Sequence, residues 1–188
     1  MFISLGVDCG TAIILRKLNL RQCSLPFDWV ITYEGITNII NHDFQDYIPK
    51  EHNYSSVYNV AFLHNTFPQD TDKMVERLHR FKKILESNEE KITFVRKSHG
   101  EQHHTECSSV VNDIEDAIKL DSLLKQKYPS LHYEIHIILI CHPCFSDTVI
   151  SDVPCTIHVH NISRPYPENV NVTNPDYFDE LCTKLFTK

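Results

Sequence analysis

Apolar residues recur along this chain in two rhythms, and the rhythms take turns. Short, nearly continuous apolar runs occupy residues 2–6, 57–63, 92–95, 133–140 and 155–160, and each predicts a strand. Between them the apolar positions fall three and four apart. Ala12, Ile13, Leu15 and Leu18 predict a helix over 10–20, and Ile36, Ile39 and Ile40 a short one over 33–41. Met74, Leu78, Phe81 and Leu85 predict a helix over 71–87, which Asp70 or Thr71 can cap. Ile114, Ala117, Ile118 and Leu124 predict a helix from Ser108 or Ser109 to about Lys127, and Pro175 opens a last helix carrying Phe178, Leu181, Leu185 and Phe186. Residues 42–56, broken by Pro49, read mainly as loop, as does the polar run from Lys97 to Cys107 with His99, His103 and His104.

Short apolar strands between amphipathic helices specify a mostly parallel sheet covered on both faces. The expectation is therefore an α/β fold, a single three-layer domain over residues 1–188. Such sheets build their sites at the carboxyl ends of strands. That rule directs attention to Asp8 and Cys9, to His64, to Arg96 and to the loop after Ile140, which should converge on one rim. The stretch from Phe2 to Ile31 is the richest of these. A strand ends in Gly6, a tight loop carries Asp8 and Cys9, a helix follows with Arg16 and Arg21, and a second loop sets Asp28 beside Trp29, the one tryptophan of the chain. Helix N-terminal N–H groups and the helix dipole favour anions and lower a thiol pKa. Cys9 is thus a candidate nucleophile, His64 a candidate general base, and Asp28 the first choice to orient the imidazole, with Asn65 or Asp8 as substitutes. Backbone N–H groups near Cys9 and Gly10 can serve as an oxyanion hole. The bland reading is a Cys9 that only fills space after a buried strand.

Composition narrows the partners. Hydrophobic residues make up 41% of the chain, enough for a packed core, and the net charge of -7 argues against a dedicated nucleic-acid binder. Seven cysteines, an odd number in a chain of this size, argue against a disulfide scaffold and for a reducing compartment. No apolar run is long enough to span a membrane and no signal peptide is evident, so the expected location is cytoplasmic, host cytoplasm if the protein is viral. The expected partner is a peptide or small-molecule substrate, without nucleic acid or membrane. No cofactor and no metal are expected.

The residues Ser4-Leu5-Gly6-x-x-Cys9, Leu15-Arg16, Leu20-Arg21 and Pro26-Phe27-Asp28-Trp29 resemble the putative papain-like cysteine peptidase family, a domain of unknown function in bacteria and large DNA viruses. The likeness continues through Phe62-Leu63-His64-Asn65, Arg77, Arg80-Phe81 and Phe94-Val95-Arg96, covering residues 2–96. Two positions depart from the pattern: Asp8 stands in place of Asn, and Asn65 in place of Asp after the histidine. The resemblance implies a cysteine peptidase or hydrolase, and, as the alternative fold, an α+β papain-like architecture.

Three further readings stay open. A Cys after the first strand of a parallel sheet also resembles the serine placement of SGNH esterases, whose histidine comes late, here at His158 or His160. Cys141-His142-Pro143-Cys144 with Cys155, His158 and His160 has zinc-ligand residue types, although strand alternation puts Cys155 opposite the two histidines. Arg16, Arg21, Arg77, Arg80 and Arg96 can line an anion pocket on a non-catalytic binding domain, or simply pair with some of the 25 acidic residues. Arg96, closing a buried strand, is the strongest of these; it can hold an anion or clamp Asp28.

Overall fold

A computed structural model describes residues 1–99, 113–140, 153–162 and 176–187. In chain order the elements are β1 (Phe2–Ser4), α1 (Gly10–Lys17), β2 (Ile31–Thr32), α2 (Thr37–Asn41), β3 (Tyr54–Ser55), β4 (Val60–Ala61), α3 (Thr71–Glu86), β5 (Ile92–His99), α4 (Asp113–Lys127), β6 (Tyr133–Ile140), β7 (Ile157–Ile162) and α5 (Asp176–Phe186). The main sheet has the strand order β1-β5-β6-β7, and every pairing in it is parallel. Helices cover both faces, so β6 buries Ile135, Ile137, Ile138, Leu139 and Ile140 without alternation. On one face Ile14 and Leu15 of α1 and Phe178 and Cys182 of α5 pack on Val95, Ile138 and Ile140. On the other, Phe94, Ile135, Ile137 and Leu139 meet Ile114, Ala117, Leu120 and Leu124 of α4, and this core runs on to Met74 and Phe81 of α3. The fold is α/β. Among the described residues no helix is long and apolar enough to cross a membrane.

One predicted strand sits elsewhere. The run 57–63 contributes only β4, which pairs antiparallel with β2 and β3 in a separate small sheet. Its aromatic neighbours explain the difference. Phe62 packs 5.2 Å from Tyr47, which in turn meets Phe27 and Phe44, so this segment belongs to an aromatic core beside the main sheet. An apolar run specifies burial, not which strand it pairs with.

Two boundaries bear on the site. α1 ends at Lys17 because Asn19 takes a left-handed φ of 57° and Leu20 N–H donates to the Leu15 carbonyl at 2.9 Å, the αL stop that Asn tolerates. The chain then turns back beside α1 with Arg21 in the return. β5 runs to His99, beyond the expected end at Val95, and pairs residue for residue with the eight residues of β6. The remainder of the predicted polar loop, the helix start at Ser108 or Ser109, Cys141 and Cys144 and the opening Pro175 lie outside the described residues.

Candidate active site around Cys9

The turn that carries Cys9 is tied from several sides. Leu5 N–H donates to the Val95 carbonyl at 2.8 Å and Lys97 N–H to the Gly6 carbonyl at 3.1 Å, so the chain stays alongside β5 past the end of β1. Gly6 has φ +85°, and a Cβ there would lie 2.8 Å from Thr32 Oγ1, so this position requires glycine. Thr11 Oγ1 donates to the Gly6 carbonyl at 3.1 Å, and Thr32 N–H to the Val7 carbonyl at 2.8 Å. Cys9 follows as the N-cap of α1, with φ -71° and ψ -9° and a partly exposed side chain.

Its neighbours are charged. Asp8 accepts the Gly10 N–H on Oδ1 at 2.7 Å and pairs through Oδ2 with Lys97 Nζ at 2.8 Å. Lys97 is fully buried, and its ammonium lies 5.4 Å from the centroid of the Phe178 ring. Burial pushes the Cys9 thiol pKa up, the Asp8 carboxylate adds to this, and Lys97 and the backbone N–H of Cys9 act in the opposite direction. The expectation of a lowered thiol pKa is therefore corrected. Burial first, and then the negative charge beside the sulfur, are the reasons, and Asp8 also takes the Gly10 N–H proposed for the oxyanion hole.

A second group assembles around Trp29. Asp28 is buried, and its Oδ2 accepts from Arg21 Nε at 2.9 Å, Arg21 Nη2 at 2.7 Å and Leu25 N–H at 2.8 Å. Burial pushes the Asp28 carboxyl pKa up, against the pull of Leu25 N–H and Arg21. Arg21 Nη2 also donates to Ser24 Oγ at 2.8 Å, so one guanidinium closes the whole turn. The turn presents Trp29 with Arg21 and Arg16 at 5.4 and 5.5 Å from its ring centroid and the His64 ring edge-on at 5.7 Å. His64 is exposed and follows β4, so it arrives from the small sheet rather than from a strand of the parallel one.

Arg96 does not clamp the Asp28 loop. It is buried to 2% exposure, with Nε donating to Asp113 Oδ1 at 2.5 Å, Nη1 to the Leu5 carbonyl at 2.8 Å and to Thr32 Oγ1 at 3.0 Å, and Nη2 to the Glu34 carbonyl at 3.5 Å. Arg21, not Arg96, clamps Asp28. The predicted residues thus fall into two groups, Asp8 with Cys9, and Arg16 with Asp28, Trp29 and His64. Among the described residues the side chains that act on the charge of Cys9 are Asp8 and Lys97, and the ring contact of His64 is with Trp29.

A family model described as Putative papain-like cysteine peptidase matches residues 1–65 and 47–143. The chain belongs to this family. The matched residues contain both groups around Cys9 and Trp29, together with Arg96 and Lys97; β7 and α5 lie beyond them. The chain is also similar to "Uncharacterized protein R408" of Acanthamoeba polyphaga mimivirus, at 31% identity over 51% of this chain and 60% of the relative. The chain therefore spans about 60% of the length of that relative. No solved structure matches. Within this member of the family, the sequence pattern passed over Lys97, which read as the start of a polar loop. No local signal marks it: β5 extends past Arg96 to pair with all eight residues of β6, which the apolar run 92–95 does not encode.

Proposed function

We propose that this chain is a cysteine-dependent hydrolase or acyl transferase acting on peptide-like substrates, with Cys9 as the nucleophile. The position of Cys9 carries this reading: a partly exposed thiol at the N-cap of α1, on a turn tied to β5 and Thr32, in a member of a papain-like peptidase family. A thiol held protonated must give up its proton as the substrate arrives, so a base is needed at the moment of attack. In this reading His64 is that base. Asp28 is a positioning residue: held by Arg21, it fixes the loop whose Trp29 supports the His64 ring. Asp8 and Lys97 set the charge around the sulfur, and Lys97 favours the thiolate once it forms. Arg16, exposed over Trp29, faces incoming substrate, while Arg96 acts through Leu5 and Thr32 by holding the turn.

The steps balance as an ordinary acyl transfer. His64 accepts the thiol proton, the sulfur bonds to the carbonyl carbon, and the carbonyl π pair moves to oxygen. On collapse the bond to the leaving amine or alkoxide breaks, and the leaving group takes the proton from the imidazolium. Water or an acceptor nucleophile then releases the acyl group and restores the thiol. Active-site labelling tests the assignment. A panel of peptidyl vinyl sulfones, read by mass spectrometry, should modify Cys9 faster than exposed Cys155, and His64→Ala should slow that labelling by about 100-fold or more, the smaller end of a general-base contribution. Labelling of Cys9 no faster than Cys155 overturns the reading. That result would favour the second one, a non-catalytic anion-binding face, which the stacking of Arg16 and Arg21 on Trp29 supports.

A further inference from the structure

The same sheet carries a second set of chemically active side chains, on β6 and β7. β6 and β7 pair in register, with His136 opposite His158 and Ile138 opposite His160. Residues two apart on a strand share a face, so Glu134 and His136 of β6 and His158 and His160 of β7 come together by register alone. On β5 the neighbour of His136 is Val95, one pleat back from Lys97, and Phe186 of α5 closes one side at 5.2 Å from the His136 ring. His158 and His160 lie beyond the residues that the family model matches, so the cluster as a whole is not part of that match.

The distances suit a metal ion. Glu134 Oε1 lies 3.5 Å from His136 Nε2, Glu134 Oε2 lies 3.8 Å from His158 Nε2, and the ligating atoms of the three residues all fall within 4.8 Å of one another. Zinc bonds of about 2.0–2.2 Å at tetrahedral angles separate neighbouring ligand atoms by about 3.4 Å. The two measured edges, which end on different oxygens of Glu134, lie within a few tenths of an ångström of that separation, and the remaining edge, within 4.8 Å, closes by side-chain rotation. His136 Nδ1 is 3.0 Å from His160 Nε2. With the proton on His136 Nδ1, that contact is a hydrogen bond to His160 and leaves the Nε2 lone pair facing Glu134, the outer-sphere arrangement that orients ligating histidines.

Glu134 is also contacted by Lys91 Nζ at 2.5 Å and Thr93 Oγ1 at 2.9 Å. Lys91 has 59% of its side chain exposed and can withdraw into solvent when a dication takes its place. The His158 side chain is 43% exposed, so the cluster opens to water on that side and leaves room for an exchangeable ligand.

We propose that Glu134, His136 and His158 form a binding site for a first-row divalent transition metal of the zinc class, with His160 as the hydrogen-bonded partner of His136. Two histidines and a carboxylate with an open position are a donor set for such ions. The test uses the purified full chain, stripped with chelator and titrated with Zn2+ against a chromophoric competitor. Co2+ substitution is followed by absorption alongside. One Zn2+ per chain is expected, with Co2+ visible bands but no near-ultraviolet thiolate-to-cobalt band. His158→Ala, at an exposed position, should weaken Zn2+ binding by more than about 100-fold, and His160→Ala by about 10–100-fold, the range for an outer-sphere partner. Far-ultraviolet circular dichroism checks that both variants fold. The proposal is overturned if His158→Ala and Glu134→Gln bind Zn2+ as the wild type does. It is equally overturned if the wild type binds none, or if a thiolate band appears that Cys141→Ser or Cys144→Ser removes.

Discussion

Arg96→Met is the sharpest perturbation of the scaffold beneath Cys9. Arg96 and Asp113 have side-chain exposures of 2% and 6%, so the substitution leaves a carboxylate in the interior without its cation. Breaking a buried pair by removing one partner costs about 3–5 kcal/mol. The Leu5 carbonyl and Thr32 Oγ1 lose the same donor, at 2.8 and 3.0 Å, and a buried acceptor left unpaired adds about 1–3 kcal/mol. Because these groups share one guanidinium the terms are not fully additive, and a total near 4–6 kcal/mol is expected. A domain with about 5–15 kcal/mol of stability would keep only part of it. Urea unfolding followed by circular dichroism, with equal m-values, measures the loss. The double variant Arg96→Met/Asp113→Leu should recover much of it, because the pair replaced by apolar groups leaves no lone charge. A loss below about 1 kcal/mol for Arg96→Met, or strictly additive single and double variants, would refute the reasoning.

Three other predictions follow from the same geometry. Gly6→Ala should destabilise by about 2 kcal/mol or more in the same urea assay, since it joins a left-handed φ to a Cβ placed 2.8 Å from Thr32 Oγ1. Asp8→Asn should increase the alkylation rate of Cys9 at neutral pH relative to the wild type, because a carboxylate that holds the thiol pKa up is removed while Lys97 remains; an unchanged or slower rate, read by timed iodoacetamide labelling and mass spectrometry, contradicts the account. Asp121 concerns pH. Burial works against its charge, but bonds from Lys125 at 2.7 Å, Thr156 at 2.5 Å and Tyr133 at 2.8 Å outweigh that and hold its carboxyl below the usual range. A lowered folded pKa contributes stability that is present above the unfolded value of about 3.9 and is lost as pH falls through the folded one. Asp121→Asn should therefore cost about 1.5–3 kcal/mol at pH 7, and the difference from wild type should shrink as pH falls below about 4.

How much of this was readable from residues alone depends on whether the interaction is local. The helices over residues 10–20 and 71–87 were legible because their apolar spacing is a property of adjacent turns, and the parallel sheet because short apolar strands alternate with them. The strand–turn–helix that carries Asp8 and Cys9 was legible for the same reason, and so was Asp28 beside Trp29. Sequence alone thus determined the α/β class, the place of Cys9 at a helix start and the family likeness. Partner choice was not determined. The run 57–63 is as apolar as a core strand, yet it pairs antiparallel in a small sheet, since a hydrophobic pattern encodes burial without a neighbour. Arg96 was the arginine expected to clamp Asp28, and only the return of the chain after Asn19 brings Arg21 there instead. Lys97 meets Asp8 although 88 residues lie between them in the sequence, because β5 extends to match β6. The raised thiol pKa and the Glu134–His136–His158 cluster follow from register and burial, which are long-range quantities. Charge and ligand geometry at a site are sums over neighbours in space, and the tertiary structure alone supplies those neighbours.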